Sequence, residues 1–272
     1  IVGSASVELK LAGQRLLFSG DIGAGSAIHC TDAELGGYDQ IICEATYGDR
    51  AREPVLISDR REQLAKYVEE TMGRNGNLLI PAFAVERTQI VLEDLVALFE
   101  SKRLRPFQVF VDSPLAERVT RATQRHRHAG VDLLSIPNIR FIHDVEESKQ
   151  INNMTGVIIV AGSGMCQGGR IRHHLLHNLP HPRARVLLVG YQVAGTLGAV
   201  LRDGAPHVRI SGHDVPVRAD VKALDFYSTH ADRAALLDWI KLRGPVSGSV
   251  FLIHGEDHSL SVLADDVRKA NI

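Results

Sequence analysis

The sequence alternates short apolar runs with amphipathic stretches over almost its whole length. The runs are rich in Val, Ile, Leu and Phe, which predicts β-strands, and the stretches between them repeat apolar residues at helical spacing. Strands that alternate with helices indicate an α/β architecture, with central sheets covered by helices. The predicted strands are VELKL, QRLLFSG, YDQIICE, GNLLIP, FQVFVDS, NIRFI, GVIIVAG, ARVLLVG and SVFLIHG.

The predicted helices lie between these strands. One of them, 59–73, places Leu64, Val68 and Met72 on one face. The segment 207–219 alternates like a β-hairpin, and Phe226 and Tyr227 are strand-forming residues just before His230. No repeat or low-complexity linker separates domains. The other predicted helices are 86–102, 114–128, 169–179, 195–202 and 233–243.

Composition excludes several classes of protein. The chain has 272 residues and a net charge of −1, so nucleic acid could bind only through a local basic patch. The cysteines Cys30, Cys43 and Cys166 are scattered and form no C-x-x-C pair. They indicate reduced thiols in a cytoplasmic protein, without a disulfide framework. No apolar run is long enough to predict a membrane span, and no leader peptide is recognisable.

Four ionisable residues stand directly after apolar runs: Asp21, Glu44, Asp112 and His254. Residues at strand ends meet at one edge of a sheet, where binding sites are commonly built. Each of them could instead cap the next turn or helix, but the small residues beside three of them favour a site. Carboxylates and imidazoles are zinc ligands, and two zinc ions can activate water against a phosphate.

A set of motifs in a fixed order resembles the β-CASP branch of the metallo-β-lactamase-fold nucleases. The resemblance covers essentially the whole chain, and it is strongest to bacterial and archaeal ribonucleases similar to the endonuclease subunit of the eukaryotic mRNA 3′-end cleavage complex. It implies a partial metallo-β-lactamase αββα fold with an inserted α/β β-CASP domain. The motifs are FSGD, EATYGDR, PAFAVERTQ, DSPLA, AGSGMCQGGRIRHHL, GYQVAGTLG, YSTHAD and IHGE.

The resemblance implies roles for individual residues. Asp21 would bridge two zinc ions and His254 would bind one of them. Glu44 would orient the imidazole of His230, which would donate a proton to the leaving oxygen, as suits a group that titrates near neutrality. Asp232 would cap the helix from 233 onward or hold His230 in place.

Two departures from the family pattern matter. Residue 45 is usually Ser or Thr in that family, and here it is Ala45. The H-x-H-x-D-H run that supplies most zinc ligands is absent, since the only H-x-H lies in HRHAG at 126–130. We therefore expect the chain to lack the first part of its metallo-β-lactamase domain and, by itself, to bind zinc weakly or not at all and to have no nuclease activity.

The expected domains follow from this resemblance. Residues 1–48 would form the second half of the metallo-β-lactamase domain, 49–226 the β-CASP domain, and 227–272 the return to the first domain.

Further residues are candidates for substrate binding. Ser163 and Gly164 lie in a glycine-rich strand-to-helix turn that could either contact the substrate backbone or only close the turn. Arg87 could meet a phosphate or remain a solvated helix charge. The histidines His173, His174, His177 and His181 are expected at the surface or between domains and not on a metal. A basic face could bind nucleic acid or be merely solvated, and it comprises Arg118, Arg121, Arg125 and Arg127.

The sequence therefore predicts a two-zinc ribonuclease that cleaves single-stranded RNA in a cleft between the metallo-β-lactamase and β-CASP domains. Two alternatives stay open: a DNA-processing relative with the same chemistry, and a non-catalytic scaffold in an RNA-processing complex. Neither the endo- or exonuclease mode nor a homodimeric state can be read from the sequence.

Overall fold

A computed structural model describes residues 3–23, 36–52, 55–126 and 131–272 of the chain. The chain divides into two compact units. Unit 1 comprises Ile1–Pro54 together with Thr229–Ile272, and unit 2 comprises Val55–Ser228.

Strands and helices alternate along the described residues. The strands are β1 (Val7–Leu11), β2 (Gln14–Phe18), β3 (Tyr38–Glu44), β4 (Leu78–Pro81), β5 (Val109–Asp112), β6 (Ile139–Phe141), β7 (Ile158–Ala161), β8 (Arg185–Leu188), β9 (His207–Ile210), β10 (His213–Pro216), β11 (Asp220–Ala223) and β12 (Val246–Ile253). The helices are α1 (Ile57–Gly73), α2 (Arg87–Glu100), α3 (Pro114–His126), α4 (Val145–Ile151), α5 (Ile171–Asn178), α6 (Leu197–Arg202), α7 (Arg233–Lys241) and α8 (Asp257–Lys269). This mixed α/β architecture confirms the predicted fold class.

Unit 1 is built on a four-stranded sheet in the order β1-β2-β3-β12. Strands β1 and β2 form an antiparallel hairpin, whereas β3 runs parallel to both β2 and β12. One face of the sheet packs against α7 and α8, and buries Ile41, Trp239 and Leu263 in a shared apolar core. The sheet therefore delivers the carboxyl ends of β2, β3 and β12 to one edge.

The opposite face of this sheet is apolar and exposed. Cross-strand partners point to the same side of a sheet. The register Val7↔Phe18↔Ile42↔Phe251 therefore forms one apolar row across all four strands. Val7 is 54% exposed and Phe251 is 49% exposed, as a solvated face would leave them. A row of this kind is typical of a surface that another element covers.

Unit 2 contains a six-stranded sheet in the order β11-β8-β4-β7-β5-β6. All of its pairs are parallel, and both of its faces are covered by helices. In β4, Leu78 and Ile80 pack with α1 and α2, whereas Leu79 packs on the other side with α5 and α6. A parallel sheet buried on both faces requires apolar strands throughout, which explains the unbroken runs in the sequence.

A buried polar network holds β5 to α4 and α5 in unit 2. The Asp112 carboxylate is fully buried and accepts hydrogen bonds from Arg170 Nη1 at 2.5 Å and Ser148 Oγ at 2.5 Å. His174 Nε2 lies 2.7 Å from the same carboxylate, and its Nδ1 lies 3.0 Å from the Asn152 side chain. Burial disfavours the ionised acid, but the hydrogen bonds from these three partners outweigh it and lower the pKa of Asp112.

The structure corrects two predictions. His174 is fully buried against Asp112, so the expectation of surface or inter-domain positions is wrong for this member of the histidine cluster. Residues Asp225–Tyr227 form a 3₁₀ turn instead of a strand. The hydroxyl of Tyr227 in this turn donates to the buried Asp94 at 3.0 Å. The motif at 127–130 and Cys30 lie outside the described residues.

Helices in the described part of the chain are all too short or too polar to cross a membrane.

We predict that Asp112→Asn destabilises the protein by about 2–4 kcal/mol, because it removes a buried charge and leaves the Arg170 guanidinium without its counter-ion. Denaturant unfolding at neutral pH measures this loss. Asp203→Asn is the matched control, since Asp203 pairs with Arg202 while 63% exposed, and its loss should cost less than about 1 kcal/mol.

The difference in unfolding free energy between wild type and Asp112→Asn should also depend on pH. The folded pKa of Asp112 is lowered, so its contribution is complete above the pKa of an unfolded aspartate, near ~3.9, and disappears as the pH falls through the folded value. The stability difference between wild type and Asp112→Asn should therefore shrink in acid. A difference that stays constant down to the acid transition would contradict this role.

Candidate active site in unit 1

The strand ends and one loop of unit 1 bring ionisable residues together. Asp21 follows β2, Glu44 ends β3, and His230 precedes α7. An isolated bridge between Gly23 and His230 joins the first and last of these segments. Ligand atoms of Asp21, Glu44 and His230 all lie within 4.8 Å of one another. Residues far apart in sequence therefore meet at the carboxyl edge of the sheet.

Glu44 is a buried carboxylate with a full set of donors. It is 2% exposed, and its Oε1 accepts from the backbone N–H of Ile22 at 2.5 Å. Its Oε2 accepts from the Thr46 hydroxyl at 2.6 Å. His230 Nδ1 lies 3.0 Å from each carboxylate oxygen. A buried charge is tolerated when it is paired and hydrogen-bonded in this way.

These contacts keep Glu44 ionised. Burial alone would raise the pKa of Glu44, but the hydrogen bond and charge of His230 and the hydrogen bond from Thr46 lower it below its ordinary value. An ionised Glu44 can only accept hydrogen bonds, so His230 Nδ1 carries a proton. The Nε2 atom of His230 is then the one free for chemistry, and the side chain retains 17% exposure.

Thr46 links Glu44 to His254. Its Oγ1 lies 3.0 Å from His254 Nδ1, in addition to the 2.6 Å contact with Glu44. A hydroxyl has one proton, and the shorter contact to the charged carboxylate takes it. Thr46 Oγ1 must then accept a hydrogen bond from His254 Nδ1–H, which leaves the lone pair of His254 on Nε2. That tautomer suits a metal ligand.

The ligand atoms of Asp21, Glu44 and His230 are close enough together to hold a metal ion, and His254 is not a member of this group. Within the described residues, the carboxylate of Asp21 has no hydrogen-bond partner, although its backbone N–H binds Ser4. Both oxygens of Glu44 are occupied by protein donors. The imidazoles of His230 and His254 stack with centroids 5.9 Å apart. Asp21 and His254 are therefore available as ligands, whereas Glu44 is committed to its neighbours.

Local backbone geometry supports these positions. Asp232 is the N-cap of α7 and accepts from Ala235 N–H at 2.9 Å. A Cβ on Gly255 would lie 2.5 Å from the Ala45 carbonyl oxygen, so only glycine allows the loop after β12 to approach β3. This close approach places His254 beside Thr46.

The remaining predicted residues lie in unit 2. Ser163 begins the loop after β7, where its Oγ accepts from Gly168 N–H at 3.2 Å. Gly164 is buried, and Arg87 is 7% exposed at the start of α2. Asp112, the fourth residue at a strand end, belongs to the buried network of unit 2 and not to the site of unit 1.

Sequence reasoning missed two hydroxyls. Thr46 supplies the hydroxyl beside Glu44 that the alanine at position 45 lacks, and the Ala45 side chain instead packs in the apolar core. Ser19 Oγ accepts from the Glu44 backbone N–H at 3.0 Å. The only signal for either residue was a small hydroxyl amino acid near an acid, which is common in any sequence.

Comparison with protein families gives two matches. A Beta-Casp domain model matches residues 88–201, and a model described as a Zn-dependent metallo-hydrolase RNA specificity domain matches residues 214–272. The first match lies within unit 2, and the second runs from β10 to the end of the chain.

Curated relatives match along nearly the whole chain. Ribonuclease TTHA0252 of Thermus thermophilus is 37% identical over 96% of this chain, and an RNase J-like protein of Methanocaldococcus jannaschii is 30% identical over 94%. Cleavage and polyadenylation specificity factor 73 of Drosophila melanogaster is 28% identical over 97%. The chain spans 62% of the length of the first two relatives and 39% of the third.

We predict that Thr46→Val removes the Nδ1–H tautomer of His254, because valine keeps the shape of threonine and cannot accept a hydrogen bond. Loss of one donor to Glu44 should also lower stability by about 1–3 kcal/mol. Long-range ¹H–¹⁵N correlation spectra, recorded above the imidazole titration, report the tautomer directly.

Two controls are built into this experiment. Thr46→Ser keeps the hydroxyl and should keep the tautomer. His230 should stay protonated on Nδ1 in both variants, since Glu44 still accepts from it. An unchanged His254 tautomer in Thr46→Val would remove Thr46 from this role.

Proposed function

Because this chain belongs to the β-CASP family of metallo-β-lactamase-fold proteins, we propose that the whole protein is a zinc-dependent ribonuclease that hydrolyses phosphodiester bonds of single-stranded RNA. The observation that carries the proposal is the buried Glu44–His230 pair beside Asp21. Two of the relatives named above bear the name ribonuclease or RNase, and one matching family model is described as an RNA specificity domain.

Asp21 and His254 are the residues that would hold metal. A carboxylate and a neutral imidazole are zinc ligands, and two zinc ions held there would supply an activated water and stabilise charge on the phosphate. The carboxylate of Asp21 is free of protein hydrogen bonds in the described part of the chain, and the tautomer of His254 leaves its Nε2 lone pair available.

His230 would act as the proton donor. Its Nδ1–H is bound to the ionised Glu44, which fixes the ring and leaves Nε2 as the nitrogen that can carry the transferred proton. Nε2–H can then pass its proton to the oxygen that leaves when the phosphodiester bond breaks. Glu44 positions the ring and stabilises its charge without itself taking the proton. Asp232 fixes the start of α7, and with it the chain that carries His230.

Substrate contacts in unit 2 are the second part of the proposal. Ser163, Gly164 and Arg87 lie at the carboxyl edge of the six-stranded sheet, where loops follow β4 and β7. We assign these loops to the RNA strand, and place the protein in the cytoplasm because Cys43 and Cys166 are free thiols.

We base the proposed domain boundaries on the same family. Residues 1–48 and 227–272 would belong to the metallo-β-lactamase domain, and 49–226 to the β-CASP domain. The exposed apolar row from Val7 to Phe251 supports a further part of the metallo-β-lactamase domain as its cover in the whole protein.

The proposed activity is tested with matched RNA and DNA strands. The whole protein loaded with zinc should cleave the RNA, and His230→Ala should lower the rate by about 10²–10⁴-fold, the usual contribution of a general acid. Metal analysis of the variant should find the zinc content unchanged, because His230 is not assigned as a ligand.

Three results would contradict parts of this proposal. Cleavage of DNA alone would favour the DNA-processing alternative, and cleavage of neither strand would favour a scaffold. Loss of zinc from His230→Ala would make His230 a ligand. His258→Ala is the matched control, since His258 is an exposed histidine in the first turn of α8 and should leave both rate and zinc unchanged.

The proposed cover over the exposed apolar face of the unit 1 sheet gives a separate prediction. In a Cys30→Ser background, the thiol of Leu9→Cys should react quickly in the 272-residue chain and slowly in the whole protein. Native Cys43 and Cys166 do not interfere, because burial raises the pKa of each thiol to about 12. Lys66→Cys, on the exposed side of α1, should react equally in both.

Equal reactivity of Leu9→Cys in the two proteins would show that nothing covers this face. Protection that depends on the concentration of the 272-residue chain would instead identify a second copy as the cover.

A further inference from the structure

The loop after β4 holds an aromatic ring at the surface. Phe83 is 36% exposed, although apolar rings are normally buried. Its carbonyl oxygen accepts from both the backbone N–H of Thr88 at 3.2 Å and the Thr88 hydroxyl at 2.8 Å. The backbone of this loop is therefore anchored to the first turn of α2.

Two glycines, Gly164 and Gly190, pack against the ring of Phe83 and form what we call its bed. A Cβ built on Gly164 would lie 2.7 Å from Cδ2, 2.7 Å from Cε2 and 3.0 Å from Cγ of Phe83. Three adjacent ring atoms at such similar distances place Gly164 against the face of the ring, because an approach along its edge would leave Cγ much farther away. A Cβ on Gly190 would lie 3.3 Å from Cε2.

The bed is itself fixed. The buried Gln192 donates from Nε2 to the carbonyl oxygens of both Gly164 and Gly190, each at 2.9 Å. The backbone at Gly164 is not left-handed, so the contact with the ring, and not its φ, requires glycine there. Gly164 lies against one face of Phe83, while the residue as a whole keeps 36% of its surface exposed.

We propose that the face of Phe83 opposite Gly164 stacks on one nucleobase of the RNA strand. This inference rests on the proposed function and names how unit 2 holds the substrate. A base offers a flat aromatic face whatever its identity, so such a contact holds single-stranded RNA without reading sequence. The ring of Phe83 is already held against Gly164 and Gly190. It therefore loses little conformational freedom when a base stacks on it, which lowers the entropy cost of binding.

The test uses whole protein carrying His230→Ala, in which cleavage should be slow enough for RNA binding to be measured. Its affinity is measured for a short RNA and for a series in which one base at a time is replaced by an abasic site. Loss of the stacked base should weaken binding about tenfold at one position. Adding Phe83→Ala should weaken binding of the intact RNA by a similar factor and abolish the penalty at that position. Phe83→Trp should restore both.

Further variants separate stacking from general damage. Phe226→Ala is the matched control, because Phe226 is 37% exposed and should bind RNA as the parent does. Gly164→Ala should push the ring from its bed and weaken binding, but should have no effect once Phe83 is alanine. The slope of affinity against salt should be the same in every variant, since no phosphate contact changes.

The outcomes distinguish the two proposals. If the parent binds RNA and Phe83→Ala binds it equally well, stacking is wrong and the proposed function stands. If no protein in the set binds RNA, the proposed function fails and the stacking role fails with it. A weaker Phe83→Ala that keeps the abasic penalty would show that the ring only supports the loop, which also overturns the proposal.

Discussion

The architecture of the site in unit 1 depends on one buried carboxylate. Glu44 is 2% exposed, and an ionised group there is stable only while its donors stay in place. Those donors come from the chain after β2, the chain after β3 and the segment before α7, through Ile22, Thr46 and His230. The same contacts that stabilise the charge therefore tie together segments up to 186 residues apart. A slip of β3 by one residue would turn Glu44 toward the other face and break all of them.

The two units contain closely similar networks with opposite consequences. Glu44 and Asp112 each end a strand, and each binds a histidine and a hydroxyl side chain. The difference is exposure, because the His174 side chain is 0% exposed and that of His230 is 17% exposed. A histidine closed off on all sides can only hold α5 to β5. A histidine whose side chain is partly exposed could exchange a proton with a bound molecule, so burial separates a purely structural network from one that is able to do chemistry.

The sequence predicts the secondary structure well where burial is uniform. Strands β4 and β7 are apolar throughout because both faces of their sheet are covered, and such runs are recognised from composition alone. Helix α8 was missed although Leu260, Leu263 and Val267 recur at helical spacing and pack on the core of unit 1. The Glu44–His230 contact was expected only from a family resemblance, since spacing carries no information across such a separation. The role of Thr46 depends on the direction of one proton, which no residue pattern encodes.

Gly164 shows why a residue type underdetermines its role. A glycine in a strand-to-helix turn allows close approach of the backbone to a phosphate, and the same glycine allows close approach of an aromatic ring. The structure places the ring of Phe83 there, and Gln192 binds the carbonyl oxygen of Gly164. A glycine used in this way would act on a ligand only through the ring that it supports. The two roles differ in one respect: only in the second does the effect of substituting Gly164 depend on the side chain of Phe83.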